Sequence, residues 1–227
     1  MAPGAGTVAP APSRRAAPSS APDSQISSAT PSSSDHTAYS GPEHDRALRL
    51  LQTLNSVVPA GYRLPPPPGG PEPTSTATPP PSEFQAVHEE GPFEGWTGWY
   101  YDASTDVTRD GRTGTVGVKV WTKIPAWGSN PCTLLDRLYW VHGDCTVRNV
   151  GGKRVAISQR TEQGASPTVG GFDYRADTWA AHRTPDGTVV MILQARHGFL
   201  PDTPALVSPV FSTSQLAALA VDPRFAG

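Results

Sequence analysis

A chain of 227 residues with a formal net charge of −2 has room for one or two domains of about 100 to 150 residues each. Five Lys and Arg balance five Asp and Glu before residue 83, and thirteen face fifteen from residue 83 onward, so neither part offers the clustered basic face of a nucleic-acid or anionic-lipid binder. Lys119, Lys123, Arg137, Arg148, Lys153, Arg154 and Arg160 are interspersed with acids and apolar residues and read as a solvated surface. The longest apolar runs fall far short of the roughly 18 residues of a membrane-spanning helix, so no span is expected in this chain.

The chain begins with spacer. All six tryptophans lie beyond residue 95, whereas 17 of the 26 prolines fall before residue 83, in tracts such as Pro65 to Pro68 and Pro79 to Pro81. A segment so poor in aromatic and β-branched residues buries too little apolar surface to offset the entropy of ordering it. Residues 1–39 are therefore expected to form a disordered leader. Met1 to Ser13 has no charged start followed by an apolar stretch, so no signal peptide is visible there. Export then requires a signal upstream of Met1, and a cytosolic location is the alternative.

Residues 40–61 differ. Ala47, Leu48, Leu51, Leu54 and Val58 recur at helical spacing among Glu43, Asp45, Arg46 and Arg49, which predicts an amphipathic helix. Ser40 with Glu43 has the form of a capping box, and Pro59-Ala60-Gly61 supplies the stop. Alone such a helix is marginal in water, so its apolar stripe is expected to dock on the folded domain or on a partner. Residues 62–83 then read as a Pro-rich tether.

A β-rich domain is expected over 84–227. Trp96 to Asp102 is short and aromatic, and Asp106 to Gly114 reads as a polar turn region. From Thr113 to Ile124 the residues alternate, with Val116, Val118, Val120 and Ile124 facing one way and Gly117, Lys119, Trp121 and Lys123 the other, so one face of that strand should be buried. Gly151-Gly152 between Cys145–Val150 and Lys153–Thr161 supplies the positive φ angles of a two-residue hairpin. Thr184-Pro185-Asp186-Gly187 links a second hairpin, in which Val189 to Leu193 is apolar on both faces and predicts a central strand. Short helices are expected at Leu134 to Trp140 and at Thr213 to Ala220, the latter with a Ser212–Gln215 capping box. The fold class is α+β: a single antiparallel sheet of five to six strands in meander-like hairpins, with one to three helices covering one face.

Cys132 and Cys145 lie close in sequence inside this domain. A disulfide between them would contribute on the order of 3 kcal/mol and would point to an oxidising compartment. Two free thiols in a cytosolic protein is the competing reading.

Candidate sites are few. His142 and Asp144 place an imidazole beside a carboxylate, the elements of a base and its orienter. No nucleophile elbow accompanies them, and Ser158 and Ser166 sit in unremarkable strand and loop contexts. His88-Glu89-Glu90 lacks the second histidine of a zinc-protease helix. Asp102, Asp106 and Asp110 are spaced by four, unlike the alternating ligands of a calcium loop. His182 and His197 flank the last hairpin and would approach each other only if the strands bring them together. No metal or cofactor is expected from these patterns. Trp96, Trp99, Tyr101 and Trp121 are the candidate ligand-binding residues, because exposed rings stack on sugars or anchor a protein partner. A fully covered sheet would make them core instead.

The helix ending at Val58 to Gly61, the Pro-rich tether, the paired Cys132 and Cys145, the hairpin Thr184 to Ile192 and the closing segment Pro209 to Ala220 together resemble a group of uncharacterised actinobacterial proteins. In those, a membrane segment or lipoprotein signal precedes a Ser/Pro-rich stretch and a small extracytoplasmic domain. The resemblance covers roughly residues 42–227 and implies a cell-surface location, but it supplies no catalytic residue. The function expected from the whole is a non-enzymatic extracytoplasmic binding or sensory domain, with a cell-wall polymer or envelope protein as partner. A small hydrolase using His142 and Asp144, and a structural spacer or cap in an envelope assembly, are the alternatives.

Overall fold

A computed structural model describes residues 36–66, 82–90, 96–126, 130–139, 144–159, 176–199 and 202–227. The chain divides into two units, Met1–Ser34 and Asp35–Gly227, and every described residue lies in the second. The expected leader up to residue 35, and most of the expected tether, lie outside the described residues.

The second unit is built on one antiparallel sheet of eight strands rather than five or six. In chain order the elements are β1 (His36–Thr37), α1 (Pro42–Val57), β2 (Ser82–Glu90), β3 (Thr97–Arg109), β4 (Arg112–Trp121), α2 (Pro131–Tyr139), β5 (Asp144–Val150), β6 (Lys153–Gln159), β7 (Thr178–Arg183), β8 (Val189–Ala195), α3 (Thr213–Ala220) and α4 (Pro223–Ala226). The spatial order is β1-β2-β3-β4-β8-β7-β6-β5, which sets the doubly apolar β8 in the middle, as its composition predicts.

The extra strands come from polar sequence. Ser82 to Glu90, half of it expected as tether or polar linker, pairs along its whole length with β3, while His36 and Thr37 add a short edge. Asp106 is strand rather than turn. Its carboxylate accepts from Thr115 Oγ1 at 2.8 Å and from the Phe199 amide at 3.1 Å, so an acid inside a strand is satisfied from two sides. The turn itself is only Asp110-Gly111, with φ of 53° and 72°, the pair of positive angles that matches the twist of the flanking strands. Gly151 and Gly152 make the same kind of turn at 55° and 80°.

Both faces of the sheet are covered, not one. Val116, Val118, Val120, Val190 and Ile192 pack with Ala47, Leu50, Leu51 and Leu54 of α1, Leu216 of α3 and Phe225 of α4. On the other face, Trp121, Ile124, Trp179, Met191 and Leu193 pack with Trp96 and with Leu134 of α2. Ile124 thus joins the face opposite the valines, because the strand ends at Trp121 and its alternation ends with it.

Helix α1 starts differently from the expected capping box. Gly41 at φ 87° occupies the cap position, Pro42 opens the helix, and no side chain caps it. Glu43 is engaged elsewhere, accepting the hydroxyl of Tyr101, over whose ring the Arg46 guanidinium lies at 4.4 Å. Helix α3, by contrast, carries the full Ser212–Gln215 capping box.

Burial, then the hydrogen bond to Glu43, push the Tyr101 phenol up to about 12, against the opposing pull of Arg46. The unfolded chain loses this proton near pH 10, so the folded state holds more protons between pH 10 and 12. Stability that is whole below pH 10 should therefore fall by on the order of 2 kcal/mol as pH rises through that window. Urea unfolding midpoints from pH 9 to 12 check this. An alkaline slope unchanged in Tyr101→Phe would exclude Tyr101 as its source.

Candidate functional site

The sheet splits at one end. β5 and β6 stay paired down to Val150–Lys153, and β7 and β8 down to Arg183–Val189, but the β6–β7 ladder stops at Ala156–Ala181. Beyond that point the Arg154 carbonyl is met by the His182 ring, with Nδ1 at 3.0 Å. A carbonyl only accepts, so Nδ1 carries the proton and Nε2 presents a lone pair in the neutral ring.

Helix α2 closes the third side of the gap. Asn130 caps it, its Oδ1 accepting from the Cys132 amide at 3.0 Å and its carbonyl from Thr133 at 3.1 Å. The Cys132–Cys145 disulfide, with Cα atoms 5.8 Å apart, ties the first turn of α2 to β5, and Leu134 inserts into the core. Between α2 and the two hairpins lies a cleft of about 470 Å³, within the range of small-molecule sites.

Its walls combine apolar and cationic groups. Pro131, Leu134 and Pro185 are apolar, whereas Lys153, Arg154, His182 and Arg183 supply positive charge or its precursor, and no acid is among the described lining residues. His182 is 8% exposed and so held in place by its surroundings. Arg183 donates Nε and Nη2 to the Ile124 carbonyl at 3.1 and 2.8 Å, which fixes the guanidinium and leaves Nη1 for another acceptor. Lys153 is turned outward, its Nζ 3.1 Å from the Val221 carbonyl. The nearby carboxylates are engaged: Asp186 accepts from Thr184 and Thr188, bonds that hold it below the usual carboxylate range, and Asp222 does the same with Arg224.

A second polar cluster lies inside the sheet. Lys119, expected as solvated surface, is 3% exposed, with Nζ 2.5 Å from Asp102 Oδ2 and 2.6 Å from the Tyr100 hydroxyl, which itself donates to Asp102 at 2.8 Å. Burial holds the Lys119 ammonium below the ordinary lysine range, opposed by Asp102 and Glu89. Glu83 and Asp106 are pushed up by burial, Glu83 also by the neighbouring carboxylates of Asp102 and Asp106. With both partners enclosed, this cluster is a buried ion pair of the core.

The residues singled out from sequence fall in scattered places. Trp96, Tyr101 and Trp121 are buried at 2%, 1% and 4% exposure, and Trp99 is half-buried, so the four rings form no open platform. Strand alternation divides them: Trp99 and Tyr101 stack under α1 with centroids 6.3 Å apart, while Trp121 packs on Tyr100 at 5.2 Å on the opposite face. Trp96 is anchored by its Nε1 donating to the Thr122 carbonyl at 2.7 Å. Asp144 opens β5 exposed, and its sequence partner His142 lies outside the described residues, as does Ser166. Ser158 is buried, and its Oγ has no hydrogen-bond partner among the described residues. Asp102, Asp106 and Asp110 string out along one strand and its turn instead of converging. His182 pairs with Val190, which puts it at the opposite end of β8 from His197. Among the described residues no three His, Cys, Asp or Glu side chains gather as a metal site, and no helix is long and apolar enough to cross a membrane.

Sequence reasoning missed the cleft, although a signal for it exists. Each hairpin mouth carries a basic pair, Lys153-Arg154 directly after Gly151-Gly152 and His182-Arg183 directly before Thr184-Pro185-Asp186-Gly187. What sequence could not supply is that β6 and β7 are neighbours that separate at that end.

The fold and the cleft define an α+β domain, an eight-stranded antiparallel sheet with a cation-lined opening between two of its hairpins. No protein family, curated protein or solved structure matches the chain.

Proposed function

We propose that this is a non-enzymatic extracytoplasmic binding domain of the cell envelope, with its ligand seated in the cleft between the β5–β6 and β7–β8 hairpins. The observation that carries the reading is the way the cleft is held open. A disulfide, an Asn cap, a histidine bonded to a strand carbonyl and a doubly bonded arginine each fix one wall, and such pre-organisation lowers the entropic cost of binding. The disulfide is compatible with an oxidising location, in line with the cell-surface implication of the actinobacterial resemblance. The buried Trp96, Tyr101 and Trp121 move the expected contact surface from the aromatic stretch to the cleft.

Co-sedimentation of the full chain with washed cell-wall and membrane fractions tests the reading. The wild-type chain should pellet with one fraction, and Pro185→Trp, which crowds the exposed rim without touching the core, should remain in the supernatant. Failure of the wild-type chain to pellet with either fraction would overturn the envelope reading. Equal pelleting of Pro185→Trp would remove the cleft as the seat.

A further inference from the structure

We infer that the cleft is specific for an anionic group, a carboxylate or a phosphate, carried on an apolar body. The inference rests on the binding reading above and adds to it the chemical class of the ligand. Three observations converge on that class.

The first is the sign of the charge. Lys153, Arg154, His182 and Arg183 line the cleft, and among the described residues no acid does. Asp186, next to the rim residue Pro185, keeps its charge turned into its own turn, where the hydroxyls of Thr184 and Thr188 and the Thr188 amide stabilise it, and Asp222 is paired with Arg224. A basic opening with low-dielectric walls attracts anions and repels cations more strongly than the same charges spread over open surface.

The second is a guanidinium donor left without an acceptor among the described residues. Arg183 Nη1 has no acceptor among the described residues, while its other nitrogens are pinned to Ile124, so the fork is aimed and partly unused. His182 is more than nine-tenths buried, has Nδ1 bound to Arg154, and has no partner at Nε2 among the described residues. The α2 terminus contributes only its dipole, because Asn130 already occupies the Cys132 and Thr133 amides.

The third is shape. Pro131, Leu134 and Pro185 give the cleft an apolar part beside the bases, and a small hydrated ion would leave that part in contact with water. An anion joined to a hydrocarbon or ring covers both parts, the apolar contact supplying affinity and the charge supplying orientation.

The test is a nuclear magnetic resonance titration of the isotope-labelled full chain with three probes: benzoate, phenyl phosphate and the uncharged benzamide. The amides of Leu134, Gly152 and Thr184 report on the three sides of the cleft. Benzoate or phenyl phosphate should shift all three saturably, with benzamide at least tenfold weaker. Arg183→Gln should weaken the anionic probes at least tenfold, and Arg183→Lys, which keeps the charge but not the fork, should fall between. Whichever of the two anions binds more tightly separates a carboxylate from a phosphate ligand. Benzamide matching benzoate would overturn the anion class while leaving the binding domain intact. No shift at the three amides, together with continued pelleting of the wild-type chain and loss of pelleting in Pro185→Trp, would likewise overturn the class alone. No shift and no pelleting would overturn both readings.

Discussion

Replacing Lys119 by methionine should destabilise the domain by about 3–5 kcal/mol, the cost of leaving one member of a buried ion pair uncompensated. Lys119 and Asp102 face each other on adjacent central strands, each no more than 3% exposed, with the Tyr100 hydroxyl bridging them. With the ammonium gone, Asp102 must either keep a charge that the interior does not solvate or take up a proton. The double replacement Lys119→Met with Asp102→Leu removes the problem instead of exposing it, and should recover most of the loss. Urea unfolding of the two single variants and the double variant completes the cycle. If Lys119→Met lies within about 1 kcal/mol of wild type, the pair carries no net charge to strand, and the reading of it as an ion pair fails.

Leu51→Ala should cost about 2–5 kcal/mol, as for other buried leucines cut back to alanine, and should lower the stability of the whole sheet. Leu51 is 1% exposed and sits in the cluster that also holds Val118, Ile192 and Phe225. All six tryptophans lie beyond residue 95, and of those described Trp96, Trp121 and Trp179 pack on the face away from α1 and Trp99 on the face that α1 covers, so their fluorescence reports chiefly on the sheet. A single cooperative transition moved to lower urea would show that helix and sheet fold as one unit. A tryptophan transition unmoved by Leu51→Ala would make α1 an accessory that comes and goes by itself, as the division into a separate 40–61 segment implies.

The contrast between what sequence did and did not reveal follows from the range of the interactions involved. Turns written in a few residues are readable: Gly151-Gly152, the Thr184–Gly187 link and the Ser212–Gln215 cap all form where local chemistry places them. The stripe of α1 is readable for the same reason, apart from its cap, where Gly41 and Pro42 displaced the expected Ser40 and a distant tyrosine claimed Glu43. The misses depend on partners remote in sequence. β2 is polar and looks like linker until β3 supplies its hydrogen bonds, and Lys119 looks like surface until Asp102 faces it. The two-faced sheet was hidden because Gly117, Ser104 and Lys119 do not read as core, yet all stand on the face that Trp121 and Leu193 share. Of the candidate site, the disulfide was legible and the cleft was not, since it exists only where β6 and β7 part company.

The strand order also bears on when the domain can close during its synthesis. β4 ends at Trp121, but the strand that completes its far side begins at Val189, and the Arg46 guanidinium of the first helix is held by the carbonyl of Ala226 at 2.9 Å. Contacts of such sequence separation form late, after the loops between them have been closed. Until the ribosome has delivered β8, β4 presents a bare edge, a form prone to sticking and in need of escort.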